Sequence, residues 1–217
     1  MLEELKEQVV RVAKAADKLG MCKHKSGNFS AFDPQSGCVV VTPSGVAREC
    51  LKTEDICVLD LDGKVVEWNK VNKPSSETLM HIFTYRERKD VRAIVHTHAR
   101  FSTAFAILNK PVPPIVYEFA YISKCTTIPV APYGRPGTVD LAEKVAKTLR
   151  NADCCLMQSH GAIAIGKDLD DAFIKAQYVE EISELYYITL AAQNGKEPPT
   201  LPEEELEKWA YPKEIKF

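Results

Sequence analysis

Two histidines separated by one residue, His96 and His98, carry the clearest chemical signal in the chain. They close an apolar run that begins at Ala93 and is rich in β-branched residues, a pattern that predicts a buried strand. On a strand, residues i and i+2 point to the same face, roughly 6–7 Å apart, so both imidazoles could reach one metal ion. The alternative is a pair of strand histidines that bond to carboxylates or to carbonyl groups.

Two further residues are candidates for the same site. His160 precedes Gly161 at a break between two predicted strands, where the backbone is free to present the ring as a third ligand. Glu77 follows Pro74 and two serines at the predicted start of a helix. A carboxylate in that position could serve catalysis, or it could simply cap the first turn and favour the helix dipole.

Three short polar segments could hold an anion such as phosphate: Gly27-Asn28, Ser44-Gly45 and Ser75-Ser76. The first belongs to a predicted loop, Lys23 to Ser30, which can present backbone N–H groups and an Asn side chain. The third lies at a helix N-terminus, whose N–H groups and dipole favour an anion. For the loop taken alone, a solvated turn is the alternative.

The elements that must position these residues are a mixture of helices and strands. Apolar residues at three- and four-residue spacing predict helices over about 5–19, 74–83, 102–108, 138–150 and 168–192. Besides the strand that ends in the two histidines, short β-rich runs predict strands at 38–42, 56–60, 64–68, 126–130, 154–157 and 162–165. An Asp62-Gly63 turn predicts a hairpin, so the first strands should pair antiparallel. His81 is predicted to be an ordinary residue on a helix face.

Composition restricts the class of protein. At 217 residues, with 45% hydrophobic and 27% charged residues, the chain predicts one globular domain with a substantial core. The net charge of −2 offers no basic footprint for nucleic acid, and no apolar run is long enough to span a membrane. The N-terminus, Met1 to Leu5, carries two glutamates, whereas a signal peptide would begin with basic residues. Seven cysteines without a Cys-x-x-Cys pair predict reduced, mostly buried thiols, so we expect a cytoplasmic protein.

Five motifs follow one another along the chain: Gly-Asn-x-Ser from Gly27, Thr-Pro-Ser-Gly from Thr42, Pro-Ser-Ser-Glu from Pro74, His-x-His from His96 and Gln-x-His-Gly from Gln158. In this order and spacing the chain resembles the class II, zinc-dependent sugar-phosphate aldolases. That family is typified by L-fuculose-1-phosphate aldolase and shared with L-ribulose-5-phosphate 4-epimerase. The resemblance runs from about Leu5 to the end of the predicted long helix, and the order of five motifs makes it specific.

The resemblance implies an active site with one zinc ion per subunit. The zinc ligands would be His96, His98 and His160, and Glu77 would be the base and a further ligand in the resting enzyme. The substrate phosphate would lie against the three polar segments, at Gly27, Asn28, Ser44, Gly45, Ser75 and Ser76. Tyr117 sits where these aldolases carry a tyrosine that acts as an acid from a neighbouring subunit.

The resemblance also implies the architecture and the reaction. The fold would be a three-layer α/β/α sandwich with a mixed, mostly antiparallel central sheet. One domain would cover residues 1–217, with a tail from about residue 194, and the subunits would form a homotetramer with active sites between them. The reaction would be retro-aldol cleavage of a ketose 1-phosphate, such as L-fuculose 1-phosphate. The products would be dihydroxyacetone phosphate and a small aldehyde such as L-lactaldehyde.

Three other interpretations stay open. The 4-epimerase breaks the same bond but carries Asp where this chain has Glu77, whereas Glu118 beside Tyr117 could serve as the second acid or base that epimerisation needs. In one class of zinc hydrolases the motif is His-x-His-x-Asp-His. Here Arg100 and Phe101 occupy the places of its Asp and last His. A non-catalytic scaffold on the same fold would be expected to have lost the ligands.

Two regions depart from the fuculose aldolase pattern. The Gly134-Arg135-Pro136-Gly137 loop has an arginine and a proline where that enzyme carries other residues. The C-terminal tail matches poorly, so Tyr211 is only a candidate for the family's C-terminal active-site tyrosine. Both regions are expected to touch the aldehyde half of the substrate, so the aldehyde could differ from lactaldehyde.

Overall fold

The middle layer of the protein is one eight-stranded sheet. The computed structural model describes residues 2–122 and 125–208. The strands are β1 (Asn28–Asp33), β2 (Cys38–Val41), β3 (Cys57–Asp60), β4 (Val65–Glu67), β5 (Ala93–Thr97), β6 (Val130–Ala131), β7 (Cys154–Met157) and β8 (Gly161–Gly166). Their order is β4-β3-β2-β1-β5-β8-β7-β6, and every neighbouring pair is antiparallel except β6–β7.

Helices cover both faces of this sheet. They are α1 (Leu2–Lys18), α2 (Thr78–Glu87), α3 (Arg100–Ile107), α4 (Phe119–Ile122), α5 (Val139–Thr148), α6 (Leu169–Ala192) and α7 (Glu203–Glu207). Buried residues of α1, α3, α4 and α6 form one hydrophobic cluster, and those of α2 and α5 form the other. The predicted three-layer sandwich with a mostly antiparallel sheet is therefore confirmed.

Alternation along the strands divides the core into these two halves. Val40 points into the cluster with α1, whereas Val39 and Val41 point into the cluster with α2, as the two-residue period of a strand requires. Strand β5 lies between β1 and β8 and is buried on both faces. That position explains its uninterrupted apolar run, and it places His96 on the same side of the sheet as Ile94 and α2.

The central strand β1 was not predicted, and the predicted loop over 23–30 is wrong from Asn28 onward. The strand carries Asn28, Ser30 and Asp33, residue types that are not enriched in strands. All three are nevertheless buried. Asn28 and Ser30 bond to side chains of α2 and its N-cap residue, and Asp33 accepts hydrogen bonds within the turn that follows the strand. Phe29 and Ala31 alternate with these polar residues and are buried in the core, and that short alternation was the local signal of the strand.

Two element boundaries also differ from the prediction. Helix α2 begins at Thr78, so Glu77 is its N-cap residue and does not lie within the first turn. Its carboxylate makes no capping hydrogen bond, so capping is not the role of this side chain. The strand predicted over 126–130 is reduced to Val130–Ala131, although Ile128 forms an isolated bridge with Val112.

All seven cysteines are free thiols, and four of them, Cys22, Cys57, Cys154 and Cys155, are buried. Cys50 is exposed, while the other two are half-buried, so the prediction of mostly buried thiols holds for these four only. Among the helices of 2–122 and 125–208, none has the length and apolarity needed to cross a membrane.

Candidate metal centre and active site

The end of β5 brings His96 and His98 together. The two ring centroids lie 4.8 Å apart, and the two Nε2 atoms are separated by 3.0 Å. Nδ1 of His96 lies 2.8 Å from the carbonyl oxygen of Ala162 on β8. A carbonyl oxygen can only accept, so Nδ1 carries the hydrogen and the lone pair of Nε2 points into the cluster. This hydrogen bond makes His96 a ready metal ligand.

The turn before β8 adds His160 to the pair. Its ring centroid lies 4.9 Å from that of His96 and 5.0 Å from that of His98. Gly161 makes this approach possible, because a Cβ added there would stand 2.4 Å from the carbonyl oxygen of Thr97. No side chain fits in that gap, so the glycine allows the ends of β5 and β8 to meet.

Glu77 completes the cluster from the N-terminus of α2. Its Oε2 lies 3.3 Å from Nε2 of His96, and its Oε1 lies 3.2 Å from Nε2 of His160. The amide of Asn28 donates a 2.9 Å hydrogen bond to Oε2. Oε1 is buried and has no hydrogen-bond partner among the described residues, since its approach to His160 lacks hydrogen-bond geometry. The structure therefore leaves Oε1 beside the ring of His160 without a hydrogen bond of its own.

Burial keeps the imidazoles in the form that binds metals. It lowers the pKa of His98 to about 3 and that of His160 to about 4. Burial acts to raise the pKa of Glu77, but the electrostatic influence of His96 and His160 and the hydrogen bond from Asn28 outweigh it and hold that pKa below its ordinary value. At neutral pH the site thus offers neutral imidazoles at His98 and His160 and a carboxylate anion at Glu77.

These four residues fit a divalent metal ion. One ligand atom from each of Glu77, His96, His98 and His160 lies within 4.8 Å of all the others. Atoms placed 2.0–2.1 Å from one tetrahedral ion are roughly 3.3–3.4 Å apart, and three pairs of donor atoms here are separated by 3.0, 3.2 and 3.3 Å. The cluster could therefore hold such an ion with little movement, and nitrogen and oxygen donors suit zinc.

A polar cavity of about 320 Å³ opens beside the cluster. It is lined by Glu77, His98 and His160 and by all three polar segments predicted from the sequence, Gly27, Asn28, Ser44, Gly45, Ser75 and Ser76. The left-handed φ of Gly27 and Gly45 is what lets these turns face the cavity. The predicted anion segments and the predicted metal ligands thus share one cavity.

Arg48 is a residue of this cavity that sequence analysis missed. Its side chain is buried and donates to the carbonyl oxygens of Lys25, Ser26, Gly27 and Val46. Among the described residues no carboxylate forms an ion pair with it, and its Nε has no hydrogen-bond partner. The uncompensated positive charge behind the loop favours an anion in the cavity. No local pattern marks an arginine that acts on carbonyl groups more than 20 residues away.

The other predicted site residues lie outside this cavity or outside the described residues. Tyr117 is 59% exposed and does not line the cavity. In the Gly134–Gly137 loop, Arg135 is exposed and Pro136 lines the cavity. Glu118 is not among the lining residues either, and Tyr211 falls outside the residues that the structure describes.

His81 is a second residue whose contacts the sequence analysis missed, although it lies on the predicted helix. It is fully buried and faces the sheet, where its ring bonds to Asn28 and Ser30 of β1. Its spacing of four residues from Glu77 was a usable signal, because residues i and i+4 lie on the same face of a helix.

Comparison with known proteins agrees with the fold and the cluster. The family described as the class II aldolase and adducin N-terminal domain matches residues 7–187. A 5-deoxy-D-ribulose 1-phosphate aldolase of Bacillus thuringiensis is 34% identical over 210 residues, 97% of this chain and 95% of that protein. An L-fuculose phosphate aldolase of Escherichia coli O6:H1 is 37% identical over 203 residues, 94% of this chain and 91% of that protein.

A solved structure of an L-fuculose 1-phosphate aldolase has a TM-score of 0.87 to this chain at 34% identity, and the match covers 94% of this chain and 93% of that chain. The chain is an α/β protein with a helix-covered mixed sheet, and the three imidazoles and one carboxylate at the end of its central strands could hold a metal ion. The chain belongs to the class II aldolase family and is a class II aldolase enzyme.

Proposed function

We propose that the protein cleaves a ketose 1-phosphate by a zinc-dependent retro-aldol reaction, producing dihydroxyacetone phosphate and a small aldehyde. The observation that carries this proposal is the cavity in which a three-imidazole, one-carboxylate cluster adjoins three phosphate-sized polar segments. The named relatives act on L-fuculose phosphate and on 5-deoxy-D-ribulose 1-phosphate. Both are candidate substrates here.

His96, His98 and His160 would hold the zinc ion, with Glu77 as a fourth ligand before substrate binds. When bound, zinc supplies a Lewis acid for the negative charge that develops on the ketone fragment, a stabilisation of several kcal/mol. Three neutral imidazoles leave the ion its full charge. The role of the protein is to hold these rings in place, as the hydrogen bond from His96 to Ala162 does.

Glu77 would be the base. In the condensation direction its carboxylate takes the proton from the carbon next to the carbonyl group, and in the cleavage direction it returns that proton. The oxygen Oε1, buried without a hydrogen-bond partner among the described residues, is the one able to carry it. Tyr117, supplied by a neighbouring subunit of a homotetramer, would donate a proton to the aldehyde oxygen as the new bond forms.

The substrate phosphate would bind at Gly27, Asn28, Ser44, Gly45, Ser75 and Ser76. Backbone N–H groups and hydroxyls from three separate turns can surround a phosphate, and the N-terminus of α2 adds its dipole. Lys25 lines the same cavity, so it and the buried Arg48 would contribute positive charge. Binding the phosphate at a distance from the reacting carbons provides orientation from binding energy.

A coupled assay for dihydroxyacetone phosphate tests the reaction. We expect release from at least one member of a panel that includes L-fuculose 1-phosphate and 5-deoxy-D-ribulose 1-phosphate. A chelator should abolish the release, and added zinc should restore it. Full activity in metal-stripped protein would contradict the mechanism, and conversion of L-ribulose 5-phosphate to xylulose 5-phosphate in place of cleavage would identify a 4-epimerase.

Substitution of Glu77 by Gln separates the base from the metal ligands. The variant should retain one zinc ion per chain while kcat falls by roughly 10²–10⁴-fold, because general base catalysis is lost. His96→Ala is the matched comparison, and it should lose both the metal and the activity while keeping the fold. Metal content by atomic emission and folding by circular dichroism distinguish the two outcomes. A Glu77→Gln variant with native kcat would exclude Glu77 as the base.

A further inference from the structure

A line of buried polar side chains leads from Glu77 into the core between β1 and α2. Asn28 and Ser30 lie two residues apart on β1, so they share one face of the sheet. His81 and Tyr85 follow Glu77 at four-residue intervals, so they share one face of α2. Asn28, Ser30, His81 and Tyr85 are each 0–3% exposed. Two periodicities thus align five polar residues in a dry interior.

The hydrogen bonds of this line have a definite direction, which can be worked out by starting from the carboxylate, the final acceptor. Glu77 can only accept, so the Nδ2 side of the Asn28 amide faces it, at 2.9 Å from Oε2. The Oδ1 side then faces Nε2 of His81, and because an amide oxygen only accepts, Nε2 carries the imidazole hydrogen. The partners therefore determine both the amide orientation and the histidine tautomer.

The remaining two bonds support that tautomer. With its hydrogen on Nε2, the neutral ring of His81 accepts at Nδ1 from the hydroxyl of Ser30, at 2.6 Å. The hydroxyl of Ser30 in turn accepts from the hydroxyl of Tyr85, at 2.7 Å. Tyr85, Ser30, His81 and Asn28 thus each donate one hydrogen bond, and all four bonds point toward the carboxylate.

We propose that His81 is a positioning residue that acts through Asn28 on the Glu77 carboxylate. The Asn28 hydrogen bond holds Oε2, and Oε1 is left as the oxygen free to face the metal ion or the substrate proton. This inference rests on the proposed role of Glu77 as base. It deepens that role by explaining which oxygen acts and what keeps the carboxylate from rotating.

Orientation of this kind has a measurable effect. Glu77 is the residue before α2, where the backbone gives it no capping bond and the helix does not fix its side chain. Outer partners of metal ligands and bases typically change activity or metal affinity by roughly 10- to 100-fold when removed. Loss of the His81 donor should therefore lower kcat within that range, with little effect on KM, because the phosphate segments are untouched.

The matched variants are His81→Gln and His81→Met. Glutamine and methionine have similar length and volume, but only glutamine places an N–H donor where Nε2 of His81 stands. Thr84→Val is the control for burial: Thr84 is fully buried on the same helix, and its hydroxyl bonds only to the carbonyl oxygen of Met80 in the preceding turn. It is not part of the line from Glu77.

The experiment combines kinetics with the visible absorption spectrum of the cobalt-substituted protein, which reports the ligands of the metal without substrate. We expect His81→Met to lower kcat roughly 10- to 100-fold, to leave KM within about threefold, and to shift the cobalt spectrum. His81→Gln should recover most of the kcat and the native spectrum. Thr84→Val should match the unsubstituted protein in both.

Two results would overturn the inference. One is a His81→Met protein with native kcat and native spectrum. The other is equal loss in His81→Gln and His81→Met together with a lowered melting temperature, which would make His81 a purely structural residue. If the unsubstituted protein releases no dihydroxyacetone phosphate, the proposed function fails, and the cobalt spectra still decide whether His81 positions Glu77.

Discussion

At the scale of single residues, Asn28 has both a predicted contact with the substrate and an observed contact with Glu77. It was predicted to hold the substrate phosphate, and its side chain bonds to Glu77 and His81 in the structure. An amide nitrogen has two hydrogens, and one bond to Glu77 leaves the second for a ligand. Asn28 therefore joins the proposed base to the cavity proposed for the phosphate, and one strand end contributes to both.

The buried His81 predicts a pH dependence of stability. Burial lowers its pKa from 6.5 to about 3, so the folded protein keeps the ring neutral while the unfolded chain protonates it below about pH 6.5. Since the unfolded state binds more protons in that window, stability falls as the pH drops. Between pH 7 and pH 5 this one group should cost about 2 kcal/mol.

Urea unfolding of the metal-free protein at several pH values measures this effect. His81→Gln removes the titrating group, so the free energy of unfolding of that variant should fall less between pH 7 and pH 5 than that of the unsubstituted protein. Parallel curves for the two proteins would show that His81 does not titrate differently in the folded and unfolded states.

At the scale of elements, the metal cluster depends on how closely β5 and β8 meet. Gly161 lies where a Cβ would stand 2.4 Å from the carbonyl oxygen of Thr97 and 3.3 Å from the rings of His96 and His98. A side chain at this position must push apart the strand ends that carry the ligands. The geometry of the site is thus set by a residue that provides no ligand atom.

Gly161→Ala should therefore lower metal affinity as well as stability. Overpacking of this kind costs about 1–3 kcal/mol in the free energy of unfolding, and displaced rings should weaken zinc binding by at least tenfold. Gly166→Ala is the matched control, because its Cβ would stand 2.5 Å from the backbone nitrogen of Ala172, at the other end of β8.

Competition with a chromogenic zinc chelator and denaturant unfolding measure the two quantities. Gly166→Ala should lose stability and keep its zinc affinity. Equal zinc affinities in the two variants, at equal loss of stability, would show that the contact at Gly161 does not position the ligands.

At the scale of the whole molecule, no tyrosine of residues 2–122 and 125–208 is among those that line the cavity of the same chain. The predicted acid Tyr117 is 59% exposed and does not line the cavity. Tyr121, Tyr133 and Tyr187 are also at least 50% exposed, and exposed aromatic residues are typical of protein interfaces. These features support the proposed homotetramer in which Tyr117 reaches the cavity of a neighbouring subunit.

Mixed tetramers test that arrangement. Tyr117→Phe and Glu77→Gln should each have low activity, but a tetramer containing both kinds of chain has some sites with a native Glu77 from one subunit and a native Tyr117 from the next. With random cyclic assembly of equal amounts, about one site in four is intact. Co-expressed, doubly tagged chains should therefore regain about a quarter of the native rate.

The activity of the mixture decides between the arrangements. A rate no higher than the average of the two parent variants would place Tyr117 and Glu77 of each site on the same chain or exclude Tyr117 from the reaction. Sedimentation of the unsubstituted protein gives the oligomeric state independently.

Much of the site was predictable because its signals are local. The i, i+2 spacing of His96 and His98 on a strand brings two rings to one side, and the glycine after His160 marks a strand break, so the types of ligand could be deduced from short segments. The polar turns at Ser44 and Ser75 were predictable for the same reason, since turn chemistry depends on neighbouring residues.

The sequence by itself thus determined the three-layer fold class, the donor atoms and the polar segments of the cavity. Only the tertiary structure decided that Asn28 to Asp33 is a central strand, because the side chains of Asn28 and Ser30 are satisfied by partners about 50 residues away. It also decided that His81 bonds to Asn28 and that Arg48 bonds to the carbonyl oxygens of residues 25–27. Long-range hydrogen bonds leave no periodic trace in the chain, and they are what converts a set of ligands into an oriented site.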